Sequence, residues 1–220
     1  MSEARETLLG ELAVVGKAFA SARRLEIIEL LAQSEHSVDE IVRATNQGLS
    51  TVSAHLQILR AANLVRVRRQ GTRQIYRLTD GDVADLHAAL GTVARRHSPD
   101  VSAALDAYLG SGGGDVDQVS RAKLVEMMRR QDLALLDVRP AEEYEAGHIA
   151  GAVSMPLSEI HARLDEVDVD SSIVTYCRGA YCVMAHDAVT LIRGQGRDAV
   201  RLQDGMLEWR LARLPIVVGG

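Results

Sequence analysis

Ile173-Val174-Thr175-Tyr176-Cys177-Arg178-Gly179-Ala180-Tyr181-Cys182-Val183 is the stretch from which the fold of the C-terminal half is read. Ile173 to Tyr176 is a short apolar run with β-branched residues and reads as a buried strand. Val183 to Arg193 reads as a helix, and a Gly-containing loop joins the two. Strand, tight loop and helix together make the repeating unit of an α/β layer with a parallel sheet. A cysteine between a strand and a helix N-terminus meets converging backbone N–H groups and the positive end of a helix dipole. That placement favours thiolate, the nucleophilic form of the side chain. The chain has two cysteines, and both lie in this loop.

Working outward, the same alternation continues. Ser120 is expected to cap a helix to about Arg130. Leu133-Ala134-Leu135-Leu136-Asp137-Val138 is nearly continuous in apolar residues, as a buried parallel strand requires, and Arg139-Pro140 ends it. Glu142-Glu143-Tyr144 begins a helical turn. Leu157 to Leu164 reads as a helix and Ala199-Val200-Arg201-Leu202 as a further strand. Gly205-Met206-Leu207-Glu208-Trp209-Arg210 starts the last helix. Ligands of such sheets bind at the carboxyl ends of strands, which is where Cys177 is expected.

In their order these segments resemble the rhodanese family. The matching motifs are Leu136-Asp137-Val138-Arg139, Glu143-Tyr144, Gly147-His148-Ile149-Ala150-Gly151-Ala152, the Cys177 loop, and Asp204-Gly205-Met206-Leu207-Glu208-Trp209. The resemblance implies sulfane-sulfur chemistry, in which a thiolate attacks a donor such as thiosulfate or polysulfide and becomes a persulfide. The expected site is Cys177, Arg178, Gly179, Ala180, Tyr181, Cys182 and Val183. Cys177 supplies the nucleophile, and N–H groups from Arg178 to Val183 cradle an anionic sulfur. Gly179 permits the tight loop, and Arg178 holds an anionic donor. Asp137 and Arg139 are expected to pair as a structural element near the site. A Cys-x5-Arg phosphate loop would need arginine where Val183 stands, so phosphate-ester chemistry is disfavoured. Cys182 is either a buried small hydrophobe or a resolving thiol that attacks a modified Cys177.

The N-terminal half reads as mostly helical. Helices are expected from Glu6 to Ala20 and from Ala22 to Gln33, the second with Leu25, Ile28, Leu31 and Ala32 on one face. Ser37-Val38-Asp39-Glu40 has the form of a capping box opening a third helix that ends near Thr45. Asn46-Gln47-Gly48 breaks it, and Ser50 is expected to cap a fourth helix through about Ala62, with Val52, Leu56 and Leu59 as its core stripe. Two short helices around a Gly-containing turn form a helix-turn-helix, of which the second is the candidate recognition helix. Val65 to Leu78 reads as a hairpin around Gly71.

Ser50-Thr51-Val52-Ser53-Ala54-His55-Leu56-Gln57-Ile58-Leu59 followed by Ala62-Asn63-Leu64-Val65 resembles the ArsR family of winged-helix repressors, over residues 1 to about 108. Asn63 replaces the glycine usual in that family, and asparagine also tolerates a left-handed backbone. The DNA-binding residues expected are Ser50, Thr51, Ser53, His55, Gln57, Arg60, Arg68, Arg69 and Arg73. Asp82 to Arg96 carries Val83, Leu86, Leu90 and Val93 at helical spacing, and Pro99 separates it from a helix to about Leu109. The resemblance implies a homodimer through the terminal helices, matched to a palindromic double-stranded DNA operator. Many members of the family sense metals. Here the third helix has no cysteine, and nine residues separate His87 from His97 where the family pattern has ten. Asp85, His87, His97 and Asp100 therefore sit off that register, and no metal or cofactor is expected.

Composition agrees. The net charge is −5, yet residues 1–100 carry 13 Lys+Arg against 12 Asp+Glu, and Arg60 to Arg77 holds six arginines and no acid. A local basic stripe suits nucleic acid even in an acidic protein. No apolar run approaches the ~20 residues that span a bilayer, so no membrane contact is expected. The polar start, Met1-Ser2-Glu3, is unlike a signal peptide, which points to the cytoplasm. The whole reads as two domains: a mainly α winged helix-turn-helix with a β-hairpin wing at 1–109, a Gly-rich linker at 110–116, and a small α/β rhodanese domain with a central parallel sheet at 117–220. The expected function is a transcriptional regulator that senses or transfers sulfane sulfur. The alternatives are a sulfurtransferase with an autoregulatory DNA-binding half and a metal-responsive regulator.

Overall fold

The computed structural model describes residues 2–109, 116–130 and 133–219. The chain divides into two compact units, Met1–Leu90 and Gly91–Gly220. Of the expected linker at 110–116, only Val116 is among the described residues, and it is buried in the core of the second unit.

The first unit contains α1 (Glu3–Phe19), α2 (Ala22–Leu31), β1 (His36–Ser37), α3 (Val38–Thr45), α4 (Leu49–Ala61), β2 (Val65–Gln70), β3 (Arg73–Leu78) and the start of α5 (Gly81–His97). The capping box forms: the Glu40 N–H donates to Ser37 Oγ at 3.3 Å, and the Ser37 N–H donates to Glu40 Oε2 at 2.7 Å. Asn46 ends α3 in the left-handed conformation, φ 49°. The cap of α4 is Gly48, not Ser50, because the Gly48 carbonyl already accepts from Val52 N at 3.0 Å. Ser50 therefore lies inside the first turn, exposed. Asn63 takes the left-handed turn after α4, φ 57°. The wing is the antiparallel β2–β3 pair, and β1 adds to its other edge. Ile27, Ile28, Ile41, Val52, Leu56 and Leu59 form the core. On α2 the buried face is Ile27, Ile28, Leu30 and Leu31, with Leu25 only half-buried.

The second unit carries α6 (Pro99–Leu109), β4 (Gln118–Val119), α7 (Arg121–Arg130), β5 (Leu133–Asp137), α8 (Ala141–Glu145), β6 (His148–Ile149), β7 (Val153–Ser154), α9 (Ile160–Arg163), β8 (Ser172–Tyr176), α10 (Met184–Gly194), β9 (Ala199–Leu202), α11 (Met206–Leu211) and β10 (Ile216–Val217). Short 3-10 turns flank α9, where one helix is expected from Leu157 to Leu164. Five strands form a parallel sheet in the order β4-β9-β8-β5-β7. Alternate strand residues face opposite ways. Leu136, Ile173, Cys177 and Ala199 pack with α9 and α10 on one face, and Leu135, Val174, Tyr176 and Leu202 pack with Leu124 and Trp209 on the other.

Strand order places the candidate site. From β5 the chain moves to β7 on one side and then crosses to β8 on the other. The cleft between the carboxyl ends of β5 and β8 is thus the switch point of the sheet, where α/β folds bind ligands. Cys177 follows β8 directly.

Candidate functional site

Two features carry chemistry: the thiol loop after β8 and the face formed by α4 and the wing.

The loop runs from Cys177 to Val183 and turns tightly, with Cys182 N–H donating to the Gly179 carbonyl at 3.0 Å. Cys177 is buried at 2% exposure, and Cys182 is half-buried. The Cys177 thiol donates toward the Cys182 carbonyl at 3.4 Å, with the Gly179 carbonyl at 3.9 Å. Burial pushes this thiol well above the ordinary thiol range, and the hydrogen bond and charge of the Cys182 thiol push it the same way. The N–H groups of Ala185 and Gly179 pull in the other direction and do not win. The expected thiolate is therefore not the resting form. Desolvation of a wholly buried sulfur outweighs the helix N-terminus.

Three neighbours hold the loop, and sequence reasoning missed how. First, the N-terminus of α11 clamps it: Met206 N–H donates to the Cys177 carbonyl and Leu207 N–H to the Arg178 carbonyl, both at 2.9 Å. Second, the Glu208 carboxylate accepts from Ala180 N–H at 3.3 Å and from Gly205 N–H at 2.9 Å. Burial raises the pKa of this carboxyl. Third, Arg178 Nε donates to Glu143 Oε1 at 3.0 Å, and Glu143 is itself buried. Arg178 thus braces the loop onto α8 and is not an open donor-binding cation. The N–H cradle is also smaller than expected, because Glu208 holds Ala180 N–H and Gly179 holds Cys182 N–H.

Gly179 makes only ordinary contacts, the nearest being Glu208 oxygens at 3.5 Å. The constrained glycine is Gly205, where a Cβ would lie 2.6 Å from the Cys177 carbonyl and closer still to the Gly179 amide. Ala180 is buried and Val183 is the N-cap of α10. Tyr181, half-buried, donates its hydroxyl to the Gly91 carbonyl at 2.8 Å, and the Arg95 guanidinium lies 5.0 Å over its ring. Asp137 and Arg139 pair as expected, with Arg139 Nε 2.9 Å from Asp137 Oδ1 and both side chains fully buried. Tyr176 Oη donates to the same carboxylate at 2.7 Å and accepts from Ile149 N–H.

On α4, Ser50, Thr51, Gln57 and Arg60 are exposed, while Ser53 and His55 are half-buried. Arg66, Arg68, Arg69 and Arg73 are exposed along the wing. Arg68 is paired: its Nε and Nη2 donate to Glu35 Oε2 at 2.9 and 2.6 Å, and Arg77 approaches the same carboxylate at 3.9 Å. Leu86, Leu90 and Val93 of α5 are exposed, as are Leu8, Leu9 and Leu12 of α1. Among the described residues, no three His, Cys, Asp or Glu side chains gather as metal ligands, and no helix is long and apolar enough to cross a membrane. Burial lowers the pKa of His87.

Comparison with known proteins assigns both halves. The rhodanese-like domain family matches residues 120–212, and the arsR family of bacterial regulatory proteins matches residues 21–67. The HTH-type transcriptional regulator Rv0324 of Mycobacterium tuberculosis is 50% identical over 218 residues, covering 99% of this chain and 95% of that protein. A sulfurtransferase of Allochromatium vinosum is 32% identical over 87 residues, 40% of this chain and 80% of that protein. The solution NMR structure of a homodimeric winged helix-turn-helix DNA-binding domain, Mb0332 fragment 1-100 from Mycobacterium bovis, shares 48% identity at a TM-score of 0.41, covering 44% of this chain and 90% of that one.

Proposed function

Because the chain belongs to the ArsR-family HTH-type transcriptional regulators and carries a rhodanese-like domain, we propose that it binds an operator as a homodimer and that sulfane sulfur on Cys177 changes operator affinity. The observation that carries this reading is the position of Cys177: at the switch point of the sheet, with the second thiol of the chain five residues on in the same loop. All the thiol chemistry of the protein is thus in the half that does not contact DNA.

The loading step balances with thiosulfate. The Cys177 thiol gives up its proton to solvent, and its sulfur attacks the sulfane sulfur of the donor. The donor S–S bond breaks and sulfite leaves with the electron pair. Cys177 is left as a persulfide. Cys182 then has a defined role: its thiolate attacks the inner sulfur, a Cys177–Cys182 disulfide forms, and hydrosulfide leaves. Cys182 sits in the same tight turn, its carbonyl accepting from the Cys177 thiol at 3.4 Å, and this closeness supports the second step.

Small and amide side chains on α4 read base edges, and the wing arginines meet phosphates. The exposed leucines of α1 and the stripe Leu86, Leu90 and Val93 supply the apolar surface that a dimer buries. The binding domain is proposed to end near residue 109 and the sulfur domain to occupy 117–220, both in the cytoplasm.

The test is operator affinity at fixed salt, with and without polysulfide, on wild type and Cys177→Ser, with intact mass read on each sample. The expected result, in wild type only, is an affinity shift with either a gain of sulfur (the persulfide) or the loss of two hydrogens (the Cys177–Cys182 disulfide). Sulfur loading without any shift overturns the sensor reading in favour of a sulfurtransferase tethered to a DNA-binding domain. Thiosulfate turnover at ordinary enzyme rates, about 1–1000 per second, supports the same alternative.

A further inference from the structure

We propose that Arg201 is the positioning cation of the thiol loop: a buried guanidinium on the Cys177 side of the sheet that holds the anionic sulfur formed on Cys177 and Cys182. The inference rests on the reading of Cys177 as the nucleophile.

Placement follows from register. In the parallel β8–β9 pair, Ile173 aligns with Ala199 and Thr175 with Arg201. Ile173, Cys177 and Ala199 share one core with α10, and the Thr175 hydroxyl donates to the Ala185 carbonyl in the first turn of that helix at 3.0 Å. Arg201, two residues beyond Ala199, therefore faces the same side, level with the start of α10 and the loop that leads into it.

Its surroundings are unusual for a cation. Arg201 is 4% exposed, and its Nε is buried with no hydrogen-bond partner. No carboxylate pairs with it among the described residues. Two other arginines near the loop are paired, Arg139 with Asp137 and Arg178 with Glu143. An uncompensated buried charge is strongly destabilising, so a cation kept in this state signals an anion that arrives later. Burial lowers the Arg201 pKa, and the groups that oppose this are the sulfurs of Cys177 first and Cys182 second, in their anionic forms. Arginine stays protonated throughout.

The chemistry supplies the anion. The resting Cys177 is a thiol and carries no charge. A persulfide is a stronger acid than its parent thiol, so sulfur loading creates a negative charge inside the loop. The remaining charged groups there are committed: Glu208 to loop N–H groups and Arg178 to Glu143. His186, on α10, has a buried Nδ1 without a partner.

The test uses full-length Arg201→Met and Arg201→Lys, with circular dichroism to confirm folding. Thiolate ultraviolet absorbance against pH, with Cys182→Ser as background, gives the Cys177 midpoint without requiring reaction. Intact mass after polysulfide gives sulfur loading. In Arg201→Met the midpoint should rise by about one pH unit, a roughly tenfold loss of thiolate at fixed pH, with a similar loss of loaded protein. Arg201→Lys should restore most of both. An unchanged midpoint in folded Arg201→Met overturns the proposal, as does failure of lysine to rescue. If Arg201→Met does not fold, the lysine variant decides alone: a midpoint close to wild type supports charge, and one raised by about one unit overturns it. Wild type that neither takes up sulfur nor forms the Cys177–Cys182 disulfide refutes the proposed function, while the midpoint still judges Arg201.

Discussion

Gly205→Ala isolates the clamp on the thiol loop. The φ of Gly205 is −144°, open to any residue, so the substitution adds no backbone strain. Its effect is contact alone. The new methyl would lie 2.6 Å from the Cys177 carbonyl and 2.5 Å from the Gly179 Cα. Both are backbone atoms and cannot rotate away. Forcing a methyl into a packed site costs about 1–3 kcal/mol. The separation it needs also breaks the hydrogen bonds from Met206 N–H and Leu207 N–H to the loop carbonyls. Each is worth about 1 kcal/mol net. The loss is then about 3–5 kcal/mol, which for a unit of this size lowers Tm by roughly 10–20 °C. Thermal unfolding by calorimetry reads the stability, and the rate of Cys177 alkylation reads the opened loop, which should react faster. Gly179→Ala is the control. Its Cβ meets nothing nearer than 3.5 Å, so less than about 1 kcal/mol is expected. A Gly205→Ala protein that melts within about 2 °C of wild type, or a Gly179→Ala protein that is the worse of the two, refutes the clamp.

Asp137→Asn leaves the buried Arg139 without its carboxylate and should cost about 3–5 kcal/mol, whereas Tyr176→Phe, which removes one hydrogen bond to the same group, should cost about 1 kcal/mol, both read by denaturant unfolding. Because burial raises the Cys177 pKa, the folded protein keeps that proton above pH ~8.5 while the unfolded chain loses it. The folded state then binds more protons, so stability is full below the ordinary thiol pKa and falls as pH rises through the raised one; Cys177→Ala should flatten this alkaline decline in Tm. Glu35→Gln frees Arg68 for phosphate and should tighten operator binding and steepen its salt dependence, while Arg69→Ala should weaken binding and reduce the salt slope by about 1, both by titration at several salt concentrations.

Much of this architecture was legible wherever the signal is local. Val52, Leu56 and Leu59 fall on one helical stripe and are all buried. The Ser37–Glu40 box is read from residue type and spacing alone, and the left-handed Asn63 from the family resemblance, where it stands in for a glycine. What escaped depends on residues far apart in the chain. Arg178 looked like a free anion binder because Glu143, its partner, lies 35 residues earlier. Glu208 fitted a helix-start motif, and nothing in that motif tells that its carboxylate also reaches Ala180. Gly179 drew attention as the loop glycine, yet the constraint is at Gly205, which touches the loop only after the sheet closes. Gly48 displaced Ser50 as a cap because helix start is set by the preceding turn. Arg201 did leave a trace. It is the one charged residue in a four-residue strand that otherwise reads Ala-Val-Leu, and a charge in a central parallel strand calls for a partner.

The resting loop is built around neutral sulfur, and this determines how loading can be felt. Tenfold control of an operator needs about 1.4 kcal/mol of difference between two states. A methyl-sized change at Cys177 in a closed loop is a steric event, but a persulfide is also a charge. That charge appears where Glu208 already holds the Ala180 and Gly205 N–H groups with its own buried carboxylate. Two anions cannot share one small set of donors in a low-dielectric pocket. Either Glu208 takes up a proton, which its raised pKa makes easier, or it releases the loop and α11 shifts with it. Arg201 sets the balance: the more fully it neutralises the sulfur, the less the Glu208 clamp is disturbed. Sulfur loading and loop release are therefore opposing demands on the same cation, and an Arg201 variant that loads poorly should also be the one in which any sulfur that does load disturbs the clamp most.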